Sequence, residues 1–338
     1  NSITIFRPTQ FGKTLLNAAA SYHKGDYQKS LAVWRDVLRM NSNYNLAYIG
    51  IGKAYLEQGN YRSAMKYFKT ANYKSGYNDA YKEARSIALR RYFPLIALVV
   101  MCGLLFAYRY RLPVIGKKLR QRRTVRENNG EKRANPFAMP FKTAVHPMEG
   151  FSEMFYKKQG SVLVGFILAC LLFFVSILSY QYNGFLFTDY NKHEINILFM
   201  FVQTILLLML FTAINWAFTT LFDGKGRVNE IWIAATYAVL PLIIINVIKL
   251  LLSNFLLQDE AVFLSLLTWI GYGWTGFLLL KGLEACHQYN MKKAASSVAV
   301  SVVGIFIVAF VFVLLLSLSQ QIVSFIATVA QELSMRSV

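Results

Sequence analysis

The residues that could perform chemistry are few in this chain, and they are scattered. The histidines fall in different segments, and the spacing of the three cysteines matches neither a disulfide framework nor a metal site. No phosphate-binding loop pattern, HExxH pattern or nucleophile elbow is present. The sequence therefore predicts no catalytic, cofactor-binding or metal site, and it indicates a protein that is not an enzyme.

Polar residues within the apolar half have simpler roles than catalysis. Asn215 and Asn246 fall inside apolar segments, where an amide side chain commonly hydrogen-bonds to a neighbouring helix. Lys249 lies near the end of such a segment, where its long side chain can extend to the interface. We expect the two asparagines to join helices and the lysine to anchor one.

The strongest charge feature is a basic stretch at residues 109–160. It holds 13 Lys and Arg against 4 Asp and Glu, and apolar segments at 93–108 and 161–182 flank it. Lys and Arg close to a membrane span resist translocation, so such a loop stays on the cytoplasmic side. The stretch is therefore predicted to be a cytoplasmic loop that sets the orientation of the chain.

A cluster within this stretch can be interpreted in two ways. Its cations either bind the head groups of anionic lipids or only fix the topology during insertion. Binding to nucleic acid is less favoured than either interpretation, because no recognition fold accompanies the charge. The candidate residues are Lys117, Lys118, Arg120, Arg122, Arg123 and Arg126.

The composition is that of a membrane protein. The 338 residues are 55 % apolar and carry a net charge of +19. Lys and Arg outnumber Asp and Glu by 15 to 5 in residues 1–92, whereas residues 161–338 hold 8 of each. The positive charge thus lies outside the apolar half.

Residues 11–92 contain an internal repeat. Gly25-Asp26-Tyr27 is matched 34 residues later by Gly59-Asn60-Tyr61, and the small and aromatic residues that follow are matched at the same offset. In period and residue types this part resembles the tetratricopeptide family, whose helix pairs form a groove for protein segments. A plain spacer is the alternative. The predicted turn and packing residues are Gly25, Tyr27, Trp34, Gly59, Tyr61, Ala64 and Phe68.

A helix and a strand are predicted at the two ends of this domain. A helix at Asp79–Arg91 is expected to cap the repeats. Residues 1–10 contain the alternating segment Ser2–Phe6, which is typical of a strand and ends before Pro8. A single strand cannot fold alone, so we expect it to be the remnant of a missing upstream domain.

Six membrane spans are predicted, the first at 93–108 and five more within residues 161–338. Short loops on the side of the basic stretch hold 18 Lys and Arg, and those on the other side hold 2. This bias predicts a cell-membrane protein whose repeat domain and C-terminus are extracytoplasmic. The five later spans are placed at Ser161–Tyr182, Ile195–Phe222, Ile231–Leu257, Ala261–Lys281 and Ala294–Gln320.

Several short motifs recur in order along the membrane part. They are Gly150-Phe151 before a span, Phe222-Asp223-Gly224-Lys225-Gly226 in a turn, and Tyr237 followed by Pro241, which should bend its helix. Gly282-Leu283-Glu284, His287 and Lys292-Lys293 follow in a last loop. From about Pro147 to Gln320 this set resembles the Yip family, the Ypt/Rab-interacting membrane domain.

The resemblance implies a domain of about five helices without known enzymatic activity. Eukaryotic members work in vesicle traffic with small GTPases. The fusion to extracytoplasmic repeats looks instead like bacterial members from Gram-positive organisms. Those members resemble accessory proteins of carbohydrate uptake systems and often carry an upstream β-propeller.

The predicted fold is all-α, a short tetratricopeptide helical solenoid followed by a polytopic transmembrane bundle of about six spans. The favoured function is a non-enzymatic scaffold or adaptor, whose repeats bind a protein partner such as a sugar importer. The alternatives are a permease or channel formed by the membrane domain, and a lipid-organising protein that uses the basic loop. No cofactor and no nucleic acid is implied.

Cysteine labelling in intact cells tests the predicted orientation. A cysteine at Ser42 should react with a membrane-impermeant reagent, whereas a cysteine at Asn128 should react only after permeabilisation. The charge bias of short loops is the physical reason. The reverse labelling pattern would contradict the orientation.

Overall fold

The computed structural model describes residues 9–109, 136–188, 195–221 and 224–336, and every regular element in these ranges is a helix. The predicted all-helical fold is therefore confirmed for this part of the chain. The segment Ser2–Phe6 and the basic cluster from Lys117 to Arg126 lie outside the described residues.

The N-terminal region is built from two helix hairpins and a long fifth helix. The helices are α1 (Gln10–His23), α2 (Tyr27–Met40), α3 (Asn45–Glu57), α4 (Tyr61–Thr70) and α5 (Lys74–Arg109). Each of the first four helices packs against the next helix along the chain, so that α4 is in contact with α5.

Matching residues form the turns inside both hairpins. Gly25 and Gly59 have φ values of +79° and +74°, which residues with a Cβ rarely adopt. The side chains of Asp26 and Asn60 then accept backbone N–H groups at 3.1 and 3.2 Å and so cap α2 and α4. The two halves of the repeat thus use the same local chemistry.

Aromatic side chains of the second helices fit against glycines of α3. A Cβ on Gly50 would lie 2.3 Å from the Trp34 ring, and one on Gly52 would lie 2.5 Å from the Phe68 ring. Trp34 is 7 % exposed and Phe68 is fully buried. Close packing of helices therefore depends on glycine at both positions of α3.

Helix α5 is longer than the sequence predicts. The expected capping helix at Asp79–Arg91 and the apolar stretch at 93–108 form one continuous helix of 36 residues. At 1.5 Å per residue it is about 54 Å long.

The membrane domain begins with two short helices. Pro140 and Pro147 lie near the starts of these two helices, where the missing N–H of proline costs nothing. The helices of this domain are α6 (Met139–Val145), α7 (Pro147–Tyr156), α8 (Val162–Tyr182), α9 (Ile197–Phe201), α10 (Leu207–Leu221), α11 (Val228–Ala238), α12 (Leu240–Leu252), α13 (Ala261–His287) and α14 (Met291–Arg336).

Five helical segments in the described residues are long and apolar enough to cross a membrane. They are Val162–Tyr182, Ile197–Thr220, Val228–Leu252, Gln258–His287 and Met291–Thr328. The sequence predicts about six spans. The stretch 93–108, the sixth predicted span, lies within α5 and is not one of these five.

Two of these segments depart from simple α-helices. Residues Val202–Leu206 form a π-helical turn between α9 and α10. The third span is divided at Val239 into α11 and α12, two residues before Pro241. Proline removes a backbone hydrogen bond and crowds the preceding turn, so it accounts for a break at this place.

The chain forms two compact units. The first contains residues 1–132 together with the segments 183–189 and 251–264. The second contains 133–182, 190–250 and 265–338. Its main core joins the short helices to the spans through Met139, Phe151, Met154, Val164, Leu168, Leu172, Val175, Ile233, Tyr237, Leu240, Ile243 and Leu278.

The aromatic packing between repeats can be tested by truncation. Trp34→Ala should lower the free energy of unfolding of the repeat region by roughly 3–5 kcal/mol, because a large buried ring leaves a cavity. Met40→Ala, at the exposed end of the same helix, should change it by less than about 0.5 kcal/mol. Thermal unfolding of the full chain in detergent measures both. An unchanged midpoint for Trp34→Ala would show that the helices are not packed through this ring.

Candidate functional site

The repeat region contains an open groove of about 660 Å³. It lies between the end of α3, the start of α4 and the early part of α5. The residues that line it are Leu56, Glu57, Gln58, Gly59, Tyr61, Asp79, Lys82 and Glu83.

The groove is acidic although the region around it is strongly basic. Glu57, Asp79 and Glu83 are exposed along it, and they are three of the five acidic residues in positions 1–92. The Tyr22 hydroxyl donates to Glu57 Oε1 at 3.3 Å. Burial, and next the Glu57 charge, raise the pKa of Tyr22, so this hydroxyl remains a donor at neutral pH. The arrangement suits a cationic group on a bound protein segment.

Within the same unit, α5 binds the segment 251–264 through a two-point ion pair. The two terminal nitrogens of Arg85 donate to the two carboxylate oxygens of Glu260, each at 2.8 Å. Arg85 also donates to the Phe255 carbonyl at 3.2 Å. Such fork-shaped contacts between guanidinium and carboxylate are short, strong and specific in geometry.

Other side chains on the same face of α5 add to this contact. The amide oxygen of Asn78 accepts the Gln258 N–H at 2.9 Å, and the Tyr81 hydroxyl donates to the Phe255 carbonyl at 3.2 Å. Burial raises the pKa of Tyr81, which keeps that donor protonated. We call the contacts of Asn78, Tyr81 and Arg85 with residues 254–260 the α5 clamp.

The second segment of this unit, 183–189, is joined to the first. The Gly184 N–H donates to Ser253 Oγ at 3.0 Å, and a Cβ on Gly184 would lie only 2.0 Å from the Ser253 carbonyl oxygen. The Phe185 ring lies 4.9 Å from the ring of Tyr77 on α5. Helix α5 therefore contacts two segments that each connect consecutive membrane spans.

In the membrane domain, the predicted Gly150-Phe151 motif forms a tight junction of short helices. A Cβ on Gly150 would lie 2.7 Å from the Thr143 Cα in α6. Phe151 is fully buried, and a Cβ on Gly282 would lie 3.2 Å from its ring. The motif thus packs α7 against both α6 and α13.

The predicted glycine turn packs against the end of α13. Phe222 lies outside the described residues, but Gly224 and Gly226 are described. A Cβ on Gly226 would lie 2.6 Å from Cys286 Sγ, and the Gly226 N–H donates to His287 Nδ1 at 3.2 Å. A close approach of backbone to the histidine ring therefore requires glycine here.

His287 continues a buried polar network. Because Nδ1 accepts from Gly226, a neutral ring carries its hydrogen on Nε2, which then donates to Asn215 Oδ1 at 3.2 Å. The amide nitrogen of Asn215 donates to Ser297 Oγ at 2.7 Å and to Ser301 Oγ at 2.9 Å. The network joins α10, the glycine turn, α13 and α14, as expected for a membrane asparagine.

The other predicted motif residues are placed as follows. Tyr237 is fully buried in the core, and its hydroxyl accepts the Ser161 N–H at 3.2 Å. Pro241 is buried near the start of α12. The six candidate head-group residues fall in the part of the chain that the structure does not describe. Among the described residues, no group of three or more His, Cys, Asp or Glu is placed to hold a metal ion.

Sequence reasoning missed the α5 clamp and the partners of Asn215. Arg85 and Glu260 are 175 positions apart, and no local pattern relates them. Ser297 and Ser301 did carry a signal, since two small polar residues one turn apart in an apolar helix commonly face another helix.

The fold and these contacts define an integral membrane protein with a helical membrane bundle. The family model of the Yip1 domain matches residues 141–313, which is more than half of the chain. The chain therefore belongs to the Yip1 domain family. The match begins in α6 and ends in α14, in agreement with the resemblance seen in the motifs. Comparisons with curated proteins and with solved structures found no match.

Charge reversal tests the α5 clamp. Arg85→Glu should destabilise the contact by roughly 1–3 kcal/mol, because two carboxylates would then face each other in a part-buried site. Adding Glu260→Arg should restore much of the loss. Arg90→Glu, an exposed arginine on the same helix, is the matched control. Thermal unfolding of the full chain measures all three, and equal midpoints for the single and double variants would exclude the pairing.

Proposed function

We propose that this chain is a non-enzymatic membrane scaffold whose extracytoplasmic repeats hold a protein partner beside the segments 183–189 and 251–264, which connect membrane spans. The observation that carries the proposal is the α5 clamp. It fixes a region with a groove for protein segments onto the segments that connect membrane spans. A plain spacer would need neither the acidic groove nor a fixed attachment.

The order of the spans supports opposite sides for the repeats and the basic stretch. Segments 183–189 and 251–264 follow the first and third of the five spans, so they share one side of the membrane. Residues 136–160 precede the first span and belong to the other side. Helix α5 contacts the segments 183–189 and 251–264 on one side of the membrane, and the chain then reaches residue 136 on the other side. The chain must therefore cross the membrane once after Arg85. We propose that the apolar stretch 93–108 provides this crossing.

The charges of short loops support an external position for the repeats. The basic stretch, with 13 Lys and Arg, would lie on the cytoplasmic side of the membrane. The repeat region is also basic, but long domains translocate largely regardless of their charge. The repeats and the segments bound to them would then face outward.

The groove indicates what kind of partner segment it would hold. Three exposed carboxylates beside the apolar Leu56 and the ring of Tyr61 favour a peptide with Lys or Arg next to an apolar residue. The resemblance to bacterial members that accompany carbohydrate uptake makes a sugar importer the first partner to seek. This identity rests on the resemblance alone.

Co-purification in a gentle detergent tests the groove. Asp79→Asn combined with Glu83→Gln removes two of its charges. A partner held there should be lost or strongly reduced relative to the unchanged chain, because the charge attraction is removed. The co-purifying proteins are identified and compared by mass spectrometry.

Asp36→Asn is the matched control, since Asp36 lies on α2 and does not line the groove. A partner that is lost in the groove variant and retained in the control supports the proposal. If every co-purifying protein remains equally bound to both variants, the groove is not the binding site.

A further inference from the structure

The short helices α6 and α7 have one face in the core of the membrane domain and one exposed face. Met139, Thr143 and Phe151 are buried, and Met139 and Phe151 share the core cluster with side chains of the spans. On the other side of α6, Phe141 and Val145 are 59 % and 68 % exposed. They lie four residues apart, and therefore on one face of the helix.

The apolar face extends beyond α6. Met148, at the start of α7, is 67 % exposed. The charged Lys142 is held at the edge of the face by an ion pair with Glu153 on α7. Three large apolar side chains are thus exposed beside a lysine whose charge is neutralised.

A hydrogen bond gives the depth of α6 relative to a span. The indole N–H of Trp274 in α13 donates to the carbonyl of Ala144 at 3.3 Å. Lys281, paired with Glu284, marks where α13 becomes polar. Trp274 is seven residues from Lys281 toward the apolar middle, which corresponds to about 10 Å along the helix.

This depth agrees with that of an interfacial amphipathic helix, whose apolar face is buried about 5–10 Å into the boundary between head groups and acyl chains. Helix α6 also packs against α11, in the first half of the third span. Its buried face is therefore occupied by the bundle, and its apolar face is turned away from it at the depth of the lipid.

We propose that α6 and the start of α7 form a wedge in the leaflet on the side of the basic stretch, with Phe141 and Val145 in contact with lipid acyl chains. The wedge occupies one leaflet only, unlike the five spans. Lys142 and Glu153 mark its boundary with the head groups. The inference concerns the membrane domain alone and does not depend on the scaffold function or on the groove.

Quenching of a fluorescent label by brominated lipids tests the wedge. Phe141→Cys and Val145→Cys are made separately in a full-length chain that carries Cys102→Ser and Cys170→Ser, while the buried Cys286 stays. Each variant is labelled with bimane and reconstituted in phosphatidylcholine–phosphatidylglycerol vesicles. Lipids brominated along the acyl chain should remove most of the fluorescence at both positions.

Glu149→Cys is the matched control, because Glu149 is exposed on the neighbouring helix but is charged. Its label should keep most of its fluorescence in brominated lipid and lose it to a quencher in water. Labels at 141 and 145 that respond like the label at 149 would overturn the proposal. Disulfide cross-linking of Val145→Cys between copies, with no quenching by lipid, would also overturn it and assign the face to a second copy of the chain.

Discussion

A bilayer offers no hydrogen-bond partners, so backbone and side-chain polar groups inside it must find partners within the protein. The polar network of the membrane domain follows from this constraint. His287 accepts from Gly226 and contacts Asn215, whose amide nitrogen donates to two serines of α14. Satisfying these groups aligns three helices and one turn. The same constraint explains the glycine at position 226, because any side chain would separate the N–H from the imidazole.

The interaction between α5 and the segment 251–264 is of a different type. The contact of Arg85 with Glu260 joins two charged side chains that are less than one-third exposed. Neighbouring neutral hydrogen bonds made by Asn78 and Tyr81 fix its register. A single surface ion pair contributes little, but one held by several adjacent hydrogen bonds is well defined in geometry. The repeat region therefore has a fixed attachment, whereas its hairpins are held together by apolar packing of Trp34 and Phe68.

The features that follow local rules could be predicted from the sequence. The turns between helices are predicted by the paired segments Gly-Asp-Tyr and Gly-Asn-Tyr, and the membrane spans are predicted by the length of the apolar segments. The ends of helices are predicted less accurately, since α14 continues to Arg336 rather than ending near Gln320. Apolar composition does not mark where such a helix stops. The α5 clamp was missed because its partners are brought together only by the tertiary fold.

The continuity of α5 limits where a bound molecule can be. A flexible linker lets its cargo explore a volume that grows with linker length, whereas a helix of about 54 Å has a nearly fixed reach. A protein segment held beside Asp79 would therefore stay at a fixed distance from residues 254–260, because Asn78 and Arg85 of the same helix bind these residues.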